Sequence, residues 1–250
     1  MERLIDRLRQ ADWSSDTAFS LDGVPFGLVD LGAPRAEPPA LSLKKPRRML
    51  EVYAEALEGL RPRRVLELGL NHGGSAAFFA LLLDPERLVS VDVSGPVRRF
   101  DSFLESHPLG RKIVARYNTS QGDETALRKL LAEEFDASPD LVLDDASHDY
   151  GLTRASFEVL FPLLPPGGCY VIEDWQWAHA PGFWGRQEQP ALSNLIYQLM
   201  MVAAGRPDLV ARVDVRPSLA FVWRGDAPAG AERLDIDGLC FMQNRSFTLL

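Results

Sequence analysis

The sequence predicts an α/β fold, in which a parallel β-sheet is covered by helices on both faces and carries an antiparallel hairpin at one edge. Short apolar runs alternate with helical patterns from residue 63 onward, which is typical of βαβ units. The runs are almost continuously apolar, as expected for strands buried on both faces. The last two runs are joined only by residues 216–218, and this short link favours a hairpin.

The strands and helices follow one another along the chain. The predicted strands are 65–68, 88–92, 112–116, 140–144 and 169–172, followed by the hairpin strands 210–215 and 219–223. The predicted helices are 75–83, 96–106, 123–134 and 152–164, with a longer helix after Pro190 that ends near Ala204. This order gives seven strands, of which the first five are parallel.

The two ends of the chain frame this α/β unit, which we place at residues 47–225. Residues 1–46 are predicted to contain a short amphipathic helix, strand-like pieces such as 26–29, and a loop rich in Pro and Ala over 32–46. Pro46 is expected to start a helix that runs to about Leu60, and the basic run 44–48 reads as its solvated beginning. The tail, 226–250, is expected to add one or two strands to the same domain.

Composition excludes several classes of protein. The chain of 250 residues has a formal charge of −8, which argues against a nucleic-acid or anionic-membrane surface. Nothing approaches the roughly 20 apolar residues of a membrane span, and the N-terminus lacks the apolar region of a signal peptide, so we predict a cytoplasmic protein. The two cysteines form no CxxC pair, which disfavours a zinc knuckle or a disulfide scaffold.

A glycine-containing loop follows the first of the parallel strands. It reads Glu67-Leu68-Gly69-Leu70-Asn71-His72-Gly73-Gly74 and opens the next helix, where free backbone N–H groups can meet a ligand. The glycines alone are also consistent with nothing more than a tight turn. Asp92 at the end of the second strand favours a ligand, because a carboxylate there can accept both hydroxyls of a ribose.

Acidic residues gather where the fourth and fifth strands end. Asp144 and Asp145 close one strand, and Glu173 and Asp174 close the next. Neighbouring parallel strands bring these carboxylates to one sheet edge, where they repel each other unless a cation neutralises them. Mg²⁺ or Mn²⁺ fits such oxygen ligands better than zinc does. The alternative is that some of these acids cap helices or pair with Arg154.

The loop and Asp92 together resemble the class I S-adenosylmethionine-dependent methyltransferases, over roughly residues 45–225. The seven-strand order with its terminal hairpin is also similar to the Rossmann-like, doubly wound sheet of that class. The resemblance implies that Glu67, Gly69 and Gly73 face the methionine and ribose end of the cofactor and that Asp92 holds the ribose. It further implies that Ser120 and Gln121 contact the adenine.

A longer match resembles the metal-dependent O-methyltransferases of macrolide sugars, of the mycinamicin, macrocin and rhamnosyl types, and the related cephalosporin-hydroxylase proteins. Its motifs are Asp144-Asp145-Ala146-Ser147-His148, with Ala146 in place of Gly, and Pro166-Gly167-Gly168-Cys169-Tyr170-Val171-Ile172-Glu173-Asp174. The resemblance implies that Asp145, Glu173 and Asp174 bind the metal. It also implies that Asp145 and His148 are the catalytic residues, with His148 as the general base. Asp144 is assigned to the cofactor side as a supporting residue.

These observations predict a Mg²⁺-dependent O-methyltransferase that acts on a hydroxyl of a sugar-bearing or other secondary metabolite. Two alternatives stay open: a cephalosporin-hydroxylase-like subunit for other chemistry, and a non-catalytic cofactor-binding protein. An aromatic stretch after the second motif is expected to bind the acceptor or to form a lid or a homo-oligomer contact. It comprises Trp175, Trp177, His179, Phe183 and Trp184. We expect a homo-oligomer and no nucleic-acid or membrane partner.

Overall fold

The chain folds around two β-sheets in the computed structural model, which describes residues 3–30, 32–135, 138–179, 190–240 and 248–249. The small N-terminal sheet contains β1 (Asp12–Ser15), β2 (Ala18–Leu21), β3 (Val24–Leu28) and β4 (Leu41–Leu43). The main sheet contains β5 (Arg64–Leu68), β6 (Arg87–Val91), β7 (Ile113–Arg116), β8 (Leu141–Asp144), β9 (Cys169–Glu173), β10 (Val210–Val215) and β11 (Leu219–Arg224).

The main sheet has seven strands in the order β10-β11-β9-β8-β5-β6-β7. Strands β5 to β9 pair in parallel, whereas β11 is antiparallel to both β9 and β10. The predicted fold class, including the hairpin at one edge, is therefore confirmed. The strand order reverses between β5 and β8, and ligands of open α/β sheets bind at the carboxyl ends of the strands beside such a reversal.

Helices cover both faces of the main sheet. They are α1 (Leu4–Arg9), α2 (Arg47–Ala56), α3 (Gly74–Leu83), α4 (Arg98–Ser106), α5 (Glu124–Glu134), α6 (Tyr150–Leu160), α7 (Ser193–Gly205) and α8 (Ile236–Leu239). Helices α1 to α4 and the small sheet share one hydrophobic core with one face, and α5 to α8 share a second core with the other. Among the described residues, no helix combines the length and the apolar character that crossing a bilayer requires.

Local sequence explains why the elements begin and end where they do. All residues of β8 are buried, which accounts for its unbroken apolar run. Asp123 caps α5 by accepting the backbone N–H of Ala126, and Asp149 caps α6 in the same way. Helix α6 ends at Leu160, and a 3₁₀ turn containing Pro162 leads out of it. The cap at Asp149 directly follows the first acidic motif, and the cap at Asp123 closes the loop that contains Ser120 and Gln121.

One prediction for the N-terminal part of the chain is wrong. The expected loop 32–46 contains β4, which pairs in parallel with β3, because Leu41 and Leu43 complete the apolar core beneath the small sheet. The strands expected in the tail stay a prediction, because residues 241–247 lie outside the described residues. In the tail, the structure describes helix α8 within residues 226–240. Asp235 caps that single turn by accepting the N–H of Gly238, so a local hydrogen bond competes with strand pairing.

Candidate active site

Two adjoining cavities lie at the carboxyl ends of the parallel strands. The smaller, of about 330 Å³, is lined by residues that include Asp145, His148, Asp174 and Trp177. The larger, of about 870 Å³, is lined by residues that include Gly69, Asp92, Ser120 and Gln121. Both cavities share a wall formed by Asn71, His72, Asp145, Ala146 and Ser147. A ligand in one cavity is therefore adjacent to a ligand in the other.

The glycine loop is bound to the end of β6 through Asp92. One carboxylate oxygen of Asp92 accepts the backbone N–H of Asn71 at 2.7 Å, and the other accepts the N–H of Ser94 at 2.8 Å. Asp92 therefore shapes the larger cavity while lining it. Its predicted contact with a ribose stays a prediction.

Two glycines of this loop have positive φ values and close neighbours. At Gly69 (φ +98°) a Cβ atom would lie 2.1 Å from the carbonyl oxygen of Asp145, so only glycine allows the loop to reach the acidic motif. At Gly73 (φ +81°) a Cβ atom would lie 2.2 Å from the ring of Phe100. Gly69 lines the larger cavity, whereas Gly73 supports the start of α3.

The side chain of Glu67 does not reach the lining of either cavity. It is buried below the glycine loop, where it accepts a hydrogen bond from the hydroxyl of Ser90 at 2.5 Å. Burial raises the pKa of Glu67 to about 7, although hydrogen bonds from Ser75 and Ser90 oppose that rise. Glu67 therefore holds the loop from beneath, and its predicted cofactor contact stays a prediction.

Ser120 and Gln121 lie on the opposite wall of the larger cavity, in the loop after β7. The amide of Gln121 donates to Asp144 at 3.0 Å, and its carbonyl oxygen accepts the backbone N–H of Ser147 at 2.9 Å. Gln121 thus orients the segment that leads to His148. A contact of either residue with adenine stays a prediction.

Asp144 lies beneath the cavities, with 2% of its surface exposed. Its carboxylate accepts hydrogen bonds from the hydroxyls of Tyr170 at 2.6 Å and Ser156 at 3.0 Å. Burial raises the pKa of Asp144 to about 6, and these hydrogen bonds moderate the rise. The supporting role expected for Asp144 fits this position.

Asp145, His148 and Asp174 form a compact cluster in the smaller cavity. One potential ligand atom from each lies within 4.8 Å of the other two. His148 Nε2 is 3.7 Å from Asp145 Oδ1 and 4.0 Å from Asp174 Oδ2. Both His148 and Asp174 have a φ of +54°, a conformation that is rare outside glycine and is concentrated at functional sites. The two strand ends therefore converge as the sequence predicted.

Glu173 is separate from this cluster of three residues. Both of its oxygens lie 2.6 Å from Nζ of Lys45, and the hydroxyl of Tyr53 donates to one of them at 2.5 Å. Burial raises the pKa of Glu173 and the charge of Asp145 adds to the rise, whereas Lys45 opposes it. The predicted role of Glu173 as a metal ligand stays a prediction, and its carboxylate already has a cation as a partner.

Lys45 and Tyr53 were missed by sequence reasoning. The basic run 44–48 was interpreted as a solvated helix start, and this is wrong for Lys45, of which only 2% is exposed. Lys45 follows Leu41 and Leu43 at the two-residue spacing of an extended chain, and this spacing was the available signal. Burial lowers the pKa of Lys45, but Asp145 and Glu173 outweigh burial, so the ammonium group keeps its proton.

One residue of the predicted aromatic stretch, Trp177, lines the smaller cavity. The ring of Trp177 lies 4.1 Å from that of His148 between centroids, and its side chain donates a hydrogen bond to Asp174. Trp175 instead donates to the carbonyl oxygen of Arg216, and His179 Nε2 lies 2.7 Å from the hydroxyl of Ser193. The remaining aromatic residues of the predicted acceptor stretch, Phe183 and Trp184, lie outside the described residues.

With this geometry established, the chain can be compared with known proteins. The sequence profile of a family described as a methyltransferase domain matches residues 66–175, which span the glycine loop and both acidic motifs. In both its fold and this matched segment, the chain is similar to the class I methyltransferases.

Within that class, the resemblance to the macrolide-sugar O-methyltransferases is confirmed. The chain is 50% identical over 139 residues to demethylmacrocin O-methyltransferase of Streptomyces fradiae, covering 53% of this chain and 32% of that protein. It is 34% identical over 132 residues to 8-demethyl-8-(2-methoxy-alpha-L-rhamnosyl)-tetracenomycin-C 3'-O-methyltransferase of Streptomyces olivaceus, covering 50% of this chain and 31% of that one. The chain thus spans about a third of the length of these relatives.

A solved structure extends the similarity to the fold. The MycE methyltransferase of the mycinamycin biosynthetic pathway, in complex with Mg, SAH and mycinamycin VI, is 26% identical with a TM-score of 0.56. The match covers 70% of this chain and 49% of that one.

Proposed function

We propose that this chain transfers a methyl group from S-adenosylmethionine to a hydroxyl of a glycoside, with the help of a divalent cation. The observation that carries the proposal is the cluster of Asp145, His148 and Asp174 in the smaller cavity, of which Asp145 also lines the larger cavity. This position sets a base and two carboxylates beside the junction at which two reactants meet. Relatives whose names give a rhamnosyl and an L-olivosyl compound as the acceptor support a glycoside as the acceptor here.

The larger cavity is the proposed cofactor site. It lies at the reversal of strand order and is lined by the glycine loop. Asp92 lines it at the end of β6, where a carboxylate can accept hydrogen bonds from the hydroxyls of a ribose. We assign Gly69, Asp92 and Ser120 to the cofactor by direct lining. Gln121 also lines this cavity, whereas Glu67, Gly73 and Asp144 support its wall from beneath.

The donor chemistry of the smaller cavity fits Mg²⁺ or Mn²⁺. Asp145 and Asp174 supply carboxylate oxygens, which hard divalent cations prefer, and both side chains are partly exposed to the cavity. A cation bound there would lower the pKa of a coordinated hydroxyl and orient it. We propose these two aspartates as the ligands, together with the groups of the acceptor.

His148 is the proposed general base. Its Nδ1 lies 3.4 Å from the backbone carbonyl oxygen of Glu173, and donation from Nδ1 to that oxygen leaves Nε2 as the basic nitrogen. Nε2 is the atom that faces Asp145 and Asp174. In the reaction, Nε2 takes the acceptor's hydroxyl proton while the oxygen forms a bond to the methyl carbon. The electrons of the broken carbon–sulfur bond stay on sulfur.

Trp177 is the proposed platform for the sugar. Its indole is held by a hydrogen bond to Asp174 and packs against His148, so it borders the position of the reacting hydroxyl. An aromatic face suits the apolar face of a sugar ring.

The test is a methyl-transfer assay with a panel of rhamnosides, macrolide glycosides and catechols, with Mg²⁺ or with a chelator. We expect transfer to a glycoside that requires the cation. The His148→Gln variant is expected to reduce turnover by about 10² to 10⁴-fold, the usual contribution of a general base. Binding of S-adenosylmethionine, measured by calorimetry, is expected to persist in this variant.

Three results would contradict parts of the proposal. Full activity in chelator excludes the cation, and unchanged turnover of His148→Gln removes the histidine from the chemistry. Cofactor binding without transfer to any acceptor favours the non-catalytic alternative. The relatives named above are O-methyltransferases, which favours catalysis over both alternatives.

A further inference from the structure

Lys45 brings a positive charge from the N-terminal part of the chain into the acidic cluster. Its Nζ lies 2.7 Å from Asp145 Oδ2 and 2.6 Å from each oxygen of Glu173. Its side chain is 1% exposed, whereas the adjacent Lys44 is exposed to solvent. A lysine is almost never fully buried unless it is paired, and here both of its partners belong to the predicted metal motif.

The partners of Lys45 divide the carboxylates into two groups. Glu173 is 2% exposed and has both oxygens on Lys45, with Tyr53 as a further donor. Asp145 and Asp174 are 23% and 21% exposed, and one oxygen of each faces His148. Only the second group therefore presents carboxylate oxygens to the cavity.

The net charge of the three acids of the predicted metal motif and Lys45 is equal and opposite to that of one divalent cation. Asp145, Glu173 and Asp174 carry three negative charges when ionised, and the ammonium group of Lys45 neutralises one of them. The remaining two equal the charge of one Mg²⁺ or Mn²⁺ ion. Without Lys45, the same carboxylates would attract a divalent cation more strongly, because a competing positive charge would be gone.

We infer that Lys45 is a positioning residue that serves as the built-in counter-ion of Glu173. It leaves Asp145 and Asp174 as the ligands of the divalent cation, and its positive charge limits the affinity of the site for that cation. This inference rests on the proposed function, since it presumes that the cluster binds a divalent cation. It differs from a set of three carboxylate ligands, in which Glu173 binds the ion and Lys45 must move away.

The test compares the affinity for Mn²⁺, measured by calorimetry and by the loss of the free Mn²⁺ signal in electron paramagnetic resonance. Four proteins are needed: the wild type, Lys45→Met, the double variant Lys45→Met/Glu173→Gln, and Lys44→Met. Lys44→Met is the matched control, because Lys44 is the exposed neighbour that lines the same cavity.

We expect Lys45→Met to bind Mn²⁺ at least about tenfold more tightly than the wild type, since an adjacent like charge has been removed. The double variant removes one positive and one negative charge, so its affinity is expected to stay within about threefold of the wild type. Lys44→Met is expected to change the affinity by less than about threefold, because solvent screens its charge.

An unchanged or weaker affinity in Lys45→Met overturns the inference. So does a double variant that binds Mn²⁺ about tenfold more weakly than the wild type, because that loss means Glu173 is itself a ligand. If Lys45→Met does not fold, the double variant decides alone, since it leaves no unpaired buried charge. A wild type that binds no Mn²⁺ overturns the cation site itself, whereas normal wild-type binding with either contrary result overturns only the role of Lys45.

Discussion

Strands β8 and β9 end in similar acidic pairs, and the two pairs are stabilised differently. In each pair the first acid is buried and the second reaches the cavity: Asp144 and Asp145 on β8, Glu173 and Asp174 on β9. The buried acid of β8 is surrounded by neutral hydroxyl and amide donors. The buried acid of β9 contacts an ammonium group.

The register of the sheet explains the difference. Asp144 pairs with Ile172, so the next residue on β9, Glu173, points to the opposite face of the sheet. Asp144 therefore lies on the face covered by α6, among Tyr170 and Ser156. Glu173 lies on the face covered by α2, beside Tyr53.

This comparison shows that equivalent sequence positions need not have equivalent roles. Burial raises the pKa of both buried acids; hydrogen bonds from Tyr170 and Ser156 oppose the rise at Asp144, and the charge of Lys45 opposes it at Glu173. A carboxylate beside Lys45 has its charge compensated inside the protein. In both pairs it is the second acid, Asp145 or Asp174, that faces the cavity in which a cation is proposed to bind.

The largest expected effect is a loss of activity on substitution of Asp174, the cavity-facing acid of the β9 pair. Asp174→Asn removes a cavity-facing carboxylate, so we expect cation-dependent methyl transfer to fall by about a thousandfold, the equivalent of about 4 kcal/mol. The free energy of unfolding is expected to change by less than about 1 kcal/mol, because the side chain is partly exposed. Initial rates and urea unfolding measure the two quantities.

Glu173→Gln is the companion to that variant. It removes the buried one of the two carboxylates that contact Lys45, so a loss of about 3 kcal/mol in the free energy of unfolding is expected. If both variants lose activity and stability to the same extent, the division into a buried and a cavity-facing acid is contradicted.

A second prediction concerns Glu67, a buried acid with neutral partners on the same face as Glu173. Burial raises its folded-state pKa from about 4.5 to about 7. The folded chain then retains a proton that the unfolded chain has released, so this contribution is complete below pH 4.5 and is lost as the pH rises toward 7. Its size is about 3 kcal/mol.

Urea unfolding at pH 5 and pH 8 measures this contribution, with Glu67→Gln as the matched variant. Between pH 5 and pH 8, we expect the free energy of unfolding of the wild type to fall by about 3 kcal/mol more than that of the variant. Chelator keeps the cation site from contributing. Parallel losses in the two proteins would show that Glu67 does not titrate in this range.

The smallest effect compares the hydroxyl donors of the two pairs. Tyr170→Phe is expected to cost about 2 kcal/mol of unfolding free energy, because the buried carboxylate of Asp144 loses one of its three side-chain donors and keeps Ser156 and Gln121. Tyr53→Phe is expected to cost about 1 kcal/mol, because Lys45 still contacts both oxygens of Glu173. A larger cost for Tyr53→Phe would reverse the comparison.

Most of the architecture was predictable from the sequence because its signals are local. Apolar runs gave every strand of the main sheet to within a residue or two, and helical periodicity gave the helices between them. Helix α8 was not predicted, because a single capped turn has no periodicity to detect. The convergence of Asp145, His148 and Asp174 was predictable once a parallel sheet was inferred.

The sequence by itself determined the fold class, the loop that borders the larger cavity and the carboxylates that meet at the sheet edge, because each depends on order along parallel strands. Only the tertiary structure decided which acids are paired and which face the cavity. Lys45 is 100 residues from Asp145 and 128 from Glu173 along the chain. A contact between residues so far apart depends on how α2 packs against the sheet, and no local pattern in the sequence encodes that packing.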